Sequence, residues 1–123
     1  MHKILIAEDD TTSAKILKKT IESLGHTVIL AGNGKRAFET LVDNPDISLL
    51  VTDVMMPELD GTELTRIIRG NQALEKLPVI IISAVASLEE VKDLLLYDAS
   101  EFMKKPVNLE HLKNSIRRCL NTA

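Results

Sequence analysis

Acidic side chains follow two apolar runs of this chain, at the points where each run ends. Glu8 and Asp9 come directly after residues 4–7, and Asp53 follows the run that begins at Leu49. If both runs are buried strands of one parallel sheet, their carboxyl ends share an edge and the three carboxylates lie close together. Carboxylates at that range disfavour joint ionisation unless a cation intervenes. A site with oxygen ligands only, and without His or Cys, favours a hard cation. We expect this cation to be Mg²⁺, which Mn²⁺ can replace.

A hydroxyl and an amine complete a site for phosphate chemistry. Ser83 follows the apolar run at residues 78–82, and Lys105 follows residues 101–104. A metal ion and the Lys105 ammonium would neutralise the oxygens of a phosphoryl group while an oxygen of Asp53 attacks phosphorus in line. Ser83 would donate a hydrogen bond to the same group, and the product would be an acyl phosphate on Asp53.

Each of these acids also has a purely structural explanation. An Asp after a strand often serves as a turn or helix-capping residue, and three acids in a row are often a solvated charge run. Asp10 and Thr11 are both candidates for the N-cap of the first helix, so Asp10 is not expected to be a metal ligand. Glu8, Asp9 and Asp53 all follow predicted strands. This shared position favours a metal and phosphate site over a purely structural role.

Apolar patterning predicts the elements that position these groups. Unbroken apolar runs predict strands, and a 3.6-residue period predicts a helix after each one. The strands are predicted at residues 4–7, 27–31, 49–52, 78–82 and 101–104. This alternation indicates an α/β fold with one doubly wound, five-stranded parallel sheet and helices on both faces. The second and fifth strands have the most polar flanks and belong at the edges, which predicts the order 2-1-3-4-5.

Capping residues predict where several helices begin. Asp60 and Glu63 have capping-box spacing at the start of the third helix, and Asn108 precedes the apolar stripe of the fifth. A fourth helix is predicted after Ser87. Its apolar residues are Val91, Leu94 and Leu95.

Composition restricts the class of protein. The chain has 123 residues, 45% of them hydrophobic, which suits one domain with its own core. Its net charge is −3 without a basic cluster, so direct nucleic-acid binding is not expected. No apolar run has membrane-spanning length, and the lone Cys119 fits a reducing compartment, which together predict a cytoplasmic domain. His26 and His111 are expected at the surface, away from other candidate ligands.

Four motifs in order resemble the receiver domain of two-component response regulators. They are residues 4–10, the stretch from Asp53-Val54-Met55-Met56-Pro57 to Asp60-Gly61, Ser83-Ala84, and residues 102–106. Each motif alone is weak evidence, whereas the four together at matching spacing are specific. The resemblance covers residues 1–123 as a single receiver domain with a flavodoxin-like fold.

By position, this resemblance implies a role for each acidic residue of the site. Asp53 would be the phosphoacceptor and Lys105 the phosphoryl-binding lysine. Asp9 would bind Mg²⁺ directly together with Asp53, Glu8 would act through water, and the main-chain carbonyl of Met55 would be a further ligand.

The resemblance also implies a signalling function rather than that of an ordinary enzyme. The domain would take a phosphoryl group from a histidine kinase or a histidine phosphotransfer protein, and would promote its own phosphorylation and dephosphorylation. Ser83 would sense the phosphoryl group and Phe102 would be the switch aromatic. A downstream effector would then read the surface of the fourth helix, fifth strand and fifth helix, and a homodimer could form upon phosphorylation. A cis peptide bond between Lys105 and Pro106 is implied as well.

A dinucleotide-binding domain is the main alternative. Gly32-Asn33-Gly34 begins a match to the G-x-G-x-x-G/A fingerprint that ends at Ala37, between a predicted strand and a predicted helix. Asp53 lies roughly 20 residues on, where a ribose-binding acid is expected. That interpretation leaves Glu8 and Lys105 without roles, and a titration with NAD(H) would test it.

Three further alternatives concern the same acidic residues. A phosphatase of the haloacid-dehalogenase type would carry a second Asp two residues after the nucleophile, where this chain has Met55. A receiver-like module that is never phosphorylated is disfavoured by the presence of Asp53, Asp9 and Lys105. The chain could also be part of a hybrid histidine kinase.

Overall fold

One parallel sheet of five strands forms the centre of the molecule, in a computed structural model that describes residues 1–84 and 100–121. The strands are β1 (Lys3–Ala7), β2 (Thr27–Ala31), β3 (Ile47–Asp53), β4 (Val79–Ser83) and β5 (Glu101–Lys104). Their order is β2-β1-β3-β4-β5 and every pair is parallel, which confirms the predicted topology. β3 is longer than predicted because it begins at Ile47, opposite Lys3 of β1.

Four helices are described, and their ends confirm the predicted caps. They are α1 (Thr11–Glu22), α2 (Gly34–Asp43), α3 (Gly61–Arg69) and a C-terminal helix (Leu109–Asn121). Asp10 is the N-cap of α1, and Asp60 forms a capping box with Glu63 at α3. The Asn108 side chain accepts a hydrogen bond from the His111 N–H at 3.0 Å. The predicted fourth helix lies outside the described residues.

Side chains of the central strands alternate between two apolar layers. Leu5 and Leu50 pack under α2 and α3, whereas Ile4 and Ile80 pack under α1 and the C-terminal helix. All four side chains are inaccessible to solvent. Because both faces are covered, the central strands are held firmly and their carboxyl ends form a fixed edge. In the described part of the chain, no helix is long and apolar enough to cross a bilayer.

A polar cluster joins the edge strand β5 to the C-terminal helix. The Glu101 carboxylate accepts hydrogen bonds from Ser115 Oγ at 2.9 Å and from Arg118 Nη2 at 2.7 Å. The Cys119 Sγ lies 3.6 Å from the same carboxylate. Burial, with the nearby Glu101 charge, raises the pKa of the Cys119 thiol to about 11. The cluster therefore fixes one end of β5 against the helix.

Candidate functional site

The carboxyl ends of β1 and β3 bring the three predicted carboxylates together. Ala7 lies opposite Thr52 in the paired strands, so the residues after β1 reach Asp53. One carboxylate oxygen from each of Glu8, Asp9 and Asp53 lies within 4.8 Å of the other two. Glu8 is 5% exposed and Asp53 is 7% exposed, whereas Asp9 is open to solvent. The predicted cluster is present, and its Asp9 side is accessible.

The Lys105 ammonium lies against two of these acids. Its Nζ is 3.0 Å from Asp53 Oδ2 and 3.5 Å from Glu8 Oε2. Burial opposes the charge, yet the hydrogen bond to Asp53 and the attraction of Glu8 raise the pKa of Lys105. Its backbone N–H donates to the Ser83 carbonyl at 2.8 Å, and the peptide bond to Pro106 is cis, as the resemblance implies. Lys105 is thus positioned by β4 and charged at neutral pH.

The surroundings of Glu8 disfavour its negative charge. Burial is the main cause that raises its pKa to about 7, and the Asp53 carboxylate adds to the effect. Lys105 and the Asp10 N–H, which donates to Glu8 Oε1 at 3.2 Å, act in the opposite direction. A divalent cation would stabilise the ionised form. Because the donors are carboxylate oxygens with one accessible side, this arrangement fits Mg²⁺.

Backbone contacts hold the Asp53 side chain and the chain beyond it. The Val54 N–H donates to Asp53 Oδ1 at 2.8 Å. A Cβ atom on Gly61 would lie 2.1 Å from the Asp53 carbonyl oxygen, so only glycine permits this close return of the loop. The Gly61 N–H donates to the Val54 carbonyl at 2.9 Å. These contacts leave the Asp53 carboxylate little freedom to turn.

The loop between β3 and α3 contains one strained residue. Glu58 has a φ of 68°, in the left-handed region that a residue with a Cβ adopts at a cost of about 1–2 kcal/mol. The Leu59 N–H donates to the Pro57 carbonyl at 2.8 Å across this tight turn. The strain and the turn bring the chain back to the site within a few residues. The sequence analysis did not identify this feature, for which Asn or Gly would have been the usual signal.

The two predicted switch residues lie on neighbouring strands. Ser83 ends β4 with a fully buried side chain and pairs with Lys104 of β5. Phe102 pairs with Ile81 and is half-buried against the apolar layer under α2 and α3. The Met55 side chain is 72% exposed beside the site, and the metal-binding role of its carbonyl stays a prediction. Lys104 is exposed, as expected for a neighbour of the functional lysine.

The glycine motif after β2 has a packing role. A Cβ atom on Gly34 would lie 2.0 Å from the Leu59 carbonyl oxygen, so the loop after β3 covers the amino end of α2. The Asn33 side chain caps that helix by accepting from the Arg36 N–H at 2.8 Å. The fold therefore accounts for Gly34 and Asn33 without a bound dinucleotide.

The histidine prediction was correct for His111 and wrong for His26. His111 is exposed, whereas His26 is half-buried and lies beside His2, with their ring centroids 5.6 Å apart. The His2 backbone N–H donates to His26 Nδ1 at 3.1 Å. A signal for this contact existed in the sequence, since each histidine precedes its strand by one residue and Lys3 pairs with Thr27.

Comparison with known proteins agrees with this geometry. The family model described as the response regulator receiver domain matches residues 4–117. A chemotaxis protein CheY homolog from Campylobacter jejuni is 32% identical over 121 residues, which are 98% of this chain and 93% of the relative. The transcriptional regulatory protein CrdR of Helicobacter pylori is 37% identical over 97% of this chain and 55% of its own length.

A solved structure extends the comparison to three dimensions. The signal receiver domain of a signal transduction histidine kinase from Syntrophus aciditrophicus superposes with a TM-score of 0.89 and 32% identity. The match covers 98% of this chain and 90% of that one. The chain therefore belongs to the family of response regulator receiver domains.

Proposed function

We propose that residues 1–123 act as a single receiver domain that accepts a phosphoryl group on Asp53, with Mg²⁺ bound beside it. The observation that carries the proposal is the position of Lys105, with Nζ 3.0 Å from Asp53 Oδ2, at the edge of the Glu8–Asp9–Asp53 cluster. An isolated acid at the end of a strand would lack a lysine ammonium at this distance. The donor would be a phosphohistidine of a histidine kinase or of a histidine phosphotransfer protein.

The residues of the site have separate tasks in this transfer. An Asp53 oxygen attacks phosphorus, the new P–O bond forms, and the donor nitrogen leaves with the electrons of the broken P–N bond. Lys105 neutralises a phosphoryl oxygen, and the Val54 N–H keeps the carboxylate in place. Bound Mg²⁺ would supply further positive charge against the phosphoryl oxygens.

The metal would be held by groups that the edge already brings together. Asp9 and Asp53 would bind Mg²⁺ directly, with the Met55 carbonyl as a third protein ligand and Glu8 acting through water. Magnesium keeps several water ligands and takes few carboxylates, so this donor set is sufficient. The same residues would promote both the phosphorylation of Asp53 and the later hydrolysis of its acyl phosphate.

The test is phosphorylation by acetyl phosphate, a small phosphodonor that needs no protein partner. We expect the protein to gain the mass of one phosphoryl group in the presence of Mg²⁺ or Mn²⁺ and to gain none in EDTA. Asp53→Asn should abolish the gain, whereas Asp46→Asn, at an exposed acid that pairs with Lys3 at 2.7 Å, should not. Equal phosphate uptake by the Asp53 variant would overturn the assignment.

The proposed output runs through Ser83 and Phe102. A phosphoryl group on Asp53 would draw the Ser83 hydroxyl toward it, and the space left beside β5 would favour a more buried rotamer of Phe102. The ligand can shift such an equilibrium only by its different interaction with the two states. Ser83→Ala should therefore retain phosphate uptake but lose most of the amide shift change around Phe102 upon beryllofluoride binding. Shifts as large as those of the parent would contradict the coupling.

A further inference from the structure

The edge strand β2 has one open side. β1 pairs with β2 in unbroken register, and among the described residues no strand lies on the other side of β2. The Thr27 N–H and the Ala31 carbonyl both form hydrogen bonds on the β1 side, at 2.9 Å and 3.0 Å. Because the backbone groups of a strand alternate in direction, the N–H and carbonyl groups of Val28 and Leu30 face the open side.

The sequence of β2 lacks the usual protection of an edge strand. Charged side chains, proline and bulges are the common protective features, and residues 27–31 contain none of them. Leu30 is 42% exposed, and Val28 and Ile29 are half-buried. An uncharged strand with outward backbone groups and an exposed apolar side chain is suited to pairing with a further strand.

The outward groups of β2 are self-complementary about Ile29. In an antiparallel pair with a second copy of the strand, Val28 would lie opposite the partner's Leu30, and Leu30 opposite the partner's Val28. Each such pair exchanges both of its N–H to carbonyl hydrogen bonds, so every outward group of the two residues would be satisfied. This register closes on a two-fold axis, which is the commonest symmetry of assemblies of identical chains.

Helix α2 carries opposite charges at its two ends beside the same edge. Arg36 in its first turn and Asp43 in its last turn are both exposed and line one side of the helix. Phe38 lies on the other side, packed in the apolar layer that α2 shares with α3. Because the crossover from β2 to β3 is right-handed, the side of α2 with Arg36 and Asp43 is the one nearer the open side of β2.

These two charges match across a two-fold axis. About two turns, roughly 10 Å, separate Arg36 from Asp43 along the helix, which is too far for an ion pair within one copy. Among the described residues, no other group forms an ion pair with either of them. The axis reverses the direction of the second helix, so Arg36 would lie near the partner's Asp43. The net charge of −3 opposes association of identical chains, and these pairs reduce that opposition.

We propose that β2 pairs with β2 of a second copy of this chain, antiparallel and centred on Ile29, which joins the two five-stranded sheets into one. α2 of each copy would lie beside α2 of the partner, with Arg36 and Asp43 paired across the axis. A short strand flanked by surface ion pairs predicts a weak, reversible dimer. The dimer requires neither Mg²⁺ nor a phosphoryl group, so it is independent of the proposed function.

Sedimentation velocity of the unphosphorylated protein in EDTA tests the assembly. We expect a monomer–dimer equilibrium between about 10 µM and about 1 mM, as is typical of small interfaces. Leu30→Lys places a charge on the open strand and should raise the dissociation constant at least about tenfold. Val42→Lys is the matched control, because Val42 is 54% exposed and lies four positions after Phe38, on the α3 side of α2. This control should dimerise like the parent.

A charge swap on α2 tests the register. Asp43→Arg would face the partner's Arg36 with a like charge and should raise the dissociation constant about tenfold, since both ion pairs become repulsive contacts. The same variant makes the chain less negative, so general repulsion between copies would predict tighter association instead. The double variant Arg36→Asp/Asp43→Arg restores opposite charges and should dimerise like the parent. The thermal unfolding midpoint of each variant verifies that the fold is intact.

Hydrogen exchange of the unsubstituted protein identifies the strand. As concentration rises, exchange of the Val28 and Leu30 amides should slow, whereas the Ile29 amide, which faces β1, should exchange at a constant rate. Unchanged exchange at Val28 and Leu30 would overturn the proposal.

Three results of the sedimentation experiments would also overturn the dimer. These are a monomer at about 1 mM, a Leu30→Lys variant that dimerises like the parent, and a charge swap that fails to restore association. A monomer would leave the open side of β2 to an extended segment of another protein. Acetyl phosphate treatment tests the proposed function separately, so a protein that is phosphorylated but stays monomeric would refute only the dimer.

Discussion

The two ends of β1 and β3 have opposite electrostatic characters. At the carboxyl ends, Glu8 and Asp53 are buried together and share the single ammonium of Lys105. At the amino ends, Lys3 Nζ forms an ion pair with Asp46 Oδ2 at 2.7 Å, one cation for one anion. The same strands thus connect an edge with excess negative charge to an edge whose charges are paired.

The histidines at the amino edge show the same pairing. His2 Nδ1 lies 3.1 Å from Ser48 Oγ, and the His2 backbone N–H donates to His26 Nδ1. Each of these groups has a hydrogen-bond partner within the protein, whereas burial and the Asp53 charge raise the pKa of Glu8. The difference teaches that the site lies where the fold leaves one sign of charge in excess, rather than wherever polar side chains gather.

The largest effect is expected from crowding the carboxyl edge. Gly34→Ala would place a Cβ atom 2.0 Å from the Leu59 carbonyl oxygen and push the loop after β3 away from the site. We expect the free energy of unfolding to fall by about 3 kcal/mol, as measured by urea denaturation. Gly32→Ala is the matched control, because its Cβ would meet nothing within 4 Å. Equal losses in both variants would show that the glycine motif has another role.

Removal of the shared cation should have the next largest effect. Lys105→Ala leaves Glu8 and Asp53 without their partner, and we expect a loss of about 2 kcal/mol, below the cost for a fully buried pair because Lys105 is partly exposed. Mg²⁺ should restore more stability to this variant than to the parent, since it replaces the missing positive charge.

Urea denaturation with Mg²⁺ and with EDTA measures this difference. Lys104→Ala alters the exposed neighbouring lysine and should change stability by less than about 0.5 kcal/mol in either condition. An identical response of Lys105→Ala and the parent to Mg²⁺ would contradict the view that the carboxyl edge lacks positive charge.

The smallest effect is expected at the amino edge, as a function of pH. Burial, followed by the charges of His2 and of the N-terminal amine, lowers the pKa of His26 below its ordinary value of 6.5. Because the folded state holds fewer protons than the unfolded state, this contribution to stability is complete above about pH 6.5 and is lost as pH falls below it. His26→Asn removes the titrating ring but keeps an oxygen that can accept the His2 N–H.

The raised pKa of Glu8 acts in the opposite direction over this range, but it is common to both proteins and cancels in their difference. We therefore expect the unfolding free energy of His26→Asn minus that of the parent to rise as pH falls from about 7.5 to about 5.5. His111→Asn changes an exposed ring and should retain the parent's pH dependence. A difference between His26→Asn and the parent that stays constant with pH would show that His26 does not contribute to the pH dependence.

Much of the fold followed from local sequence patterns because those patterns are themselves local. An apolar run that ends in a polar residue indicates both a buried strand and its carboxyl end, which is why Glu8, Asp53 and Ser83 were placed correctly. Capping-box spacing at Asp60 and Glu63 likewise depends only on neighbours along one helix.

What escaped the sequence analysis depends on contacts between distant segments. The contact of His26 with His2 requires the register of β1 on β2, and the attachment of Glu101 to Ser115 requires the path of the last helix. The left-handed Glu58 was not foreseen, since glutamate gives no signal for a positive φ and the loop that contains it packs closely against the distant Gly34.

The burial of Cys119 has a practical consequence for chemical labelling. Alkylating reagents react with thiolates, and a thiol with a pKa of about 11 is almost entirely protonated at neutral pH. The sequence contains one cysteine and no tryptophan. A cysteine introduced at an exposed position can therefore be labelled selectively with a maleimide fluorophore, without prior removal of the native thiol and without intrinsic tryptophan emission.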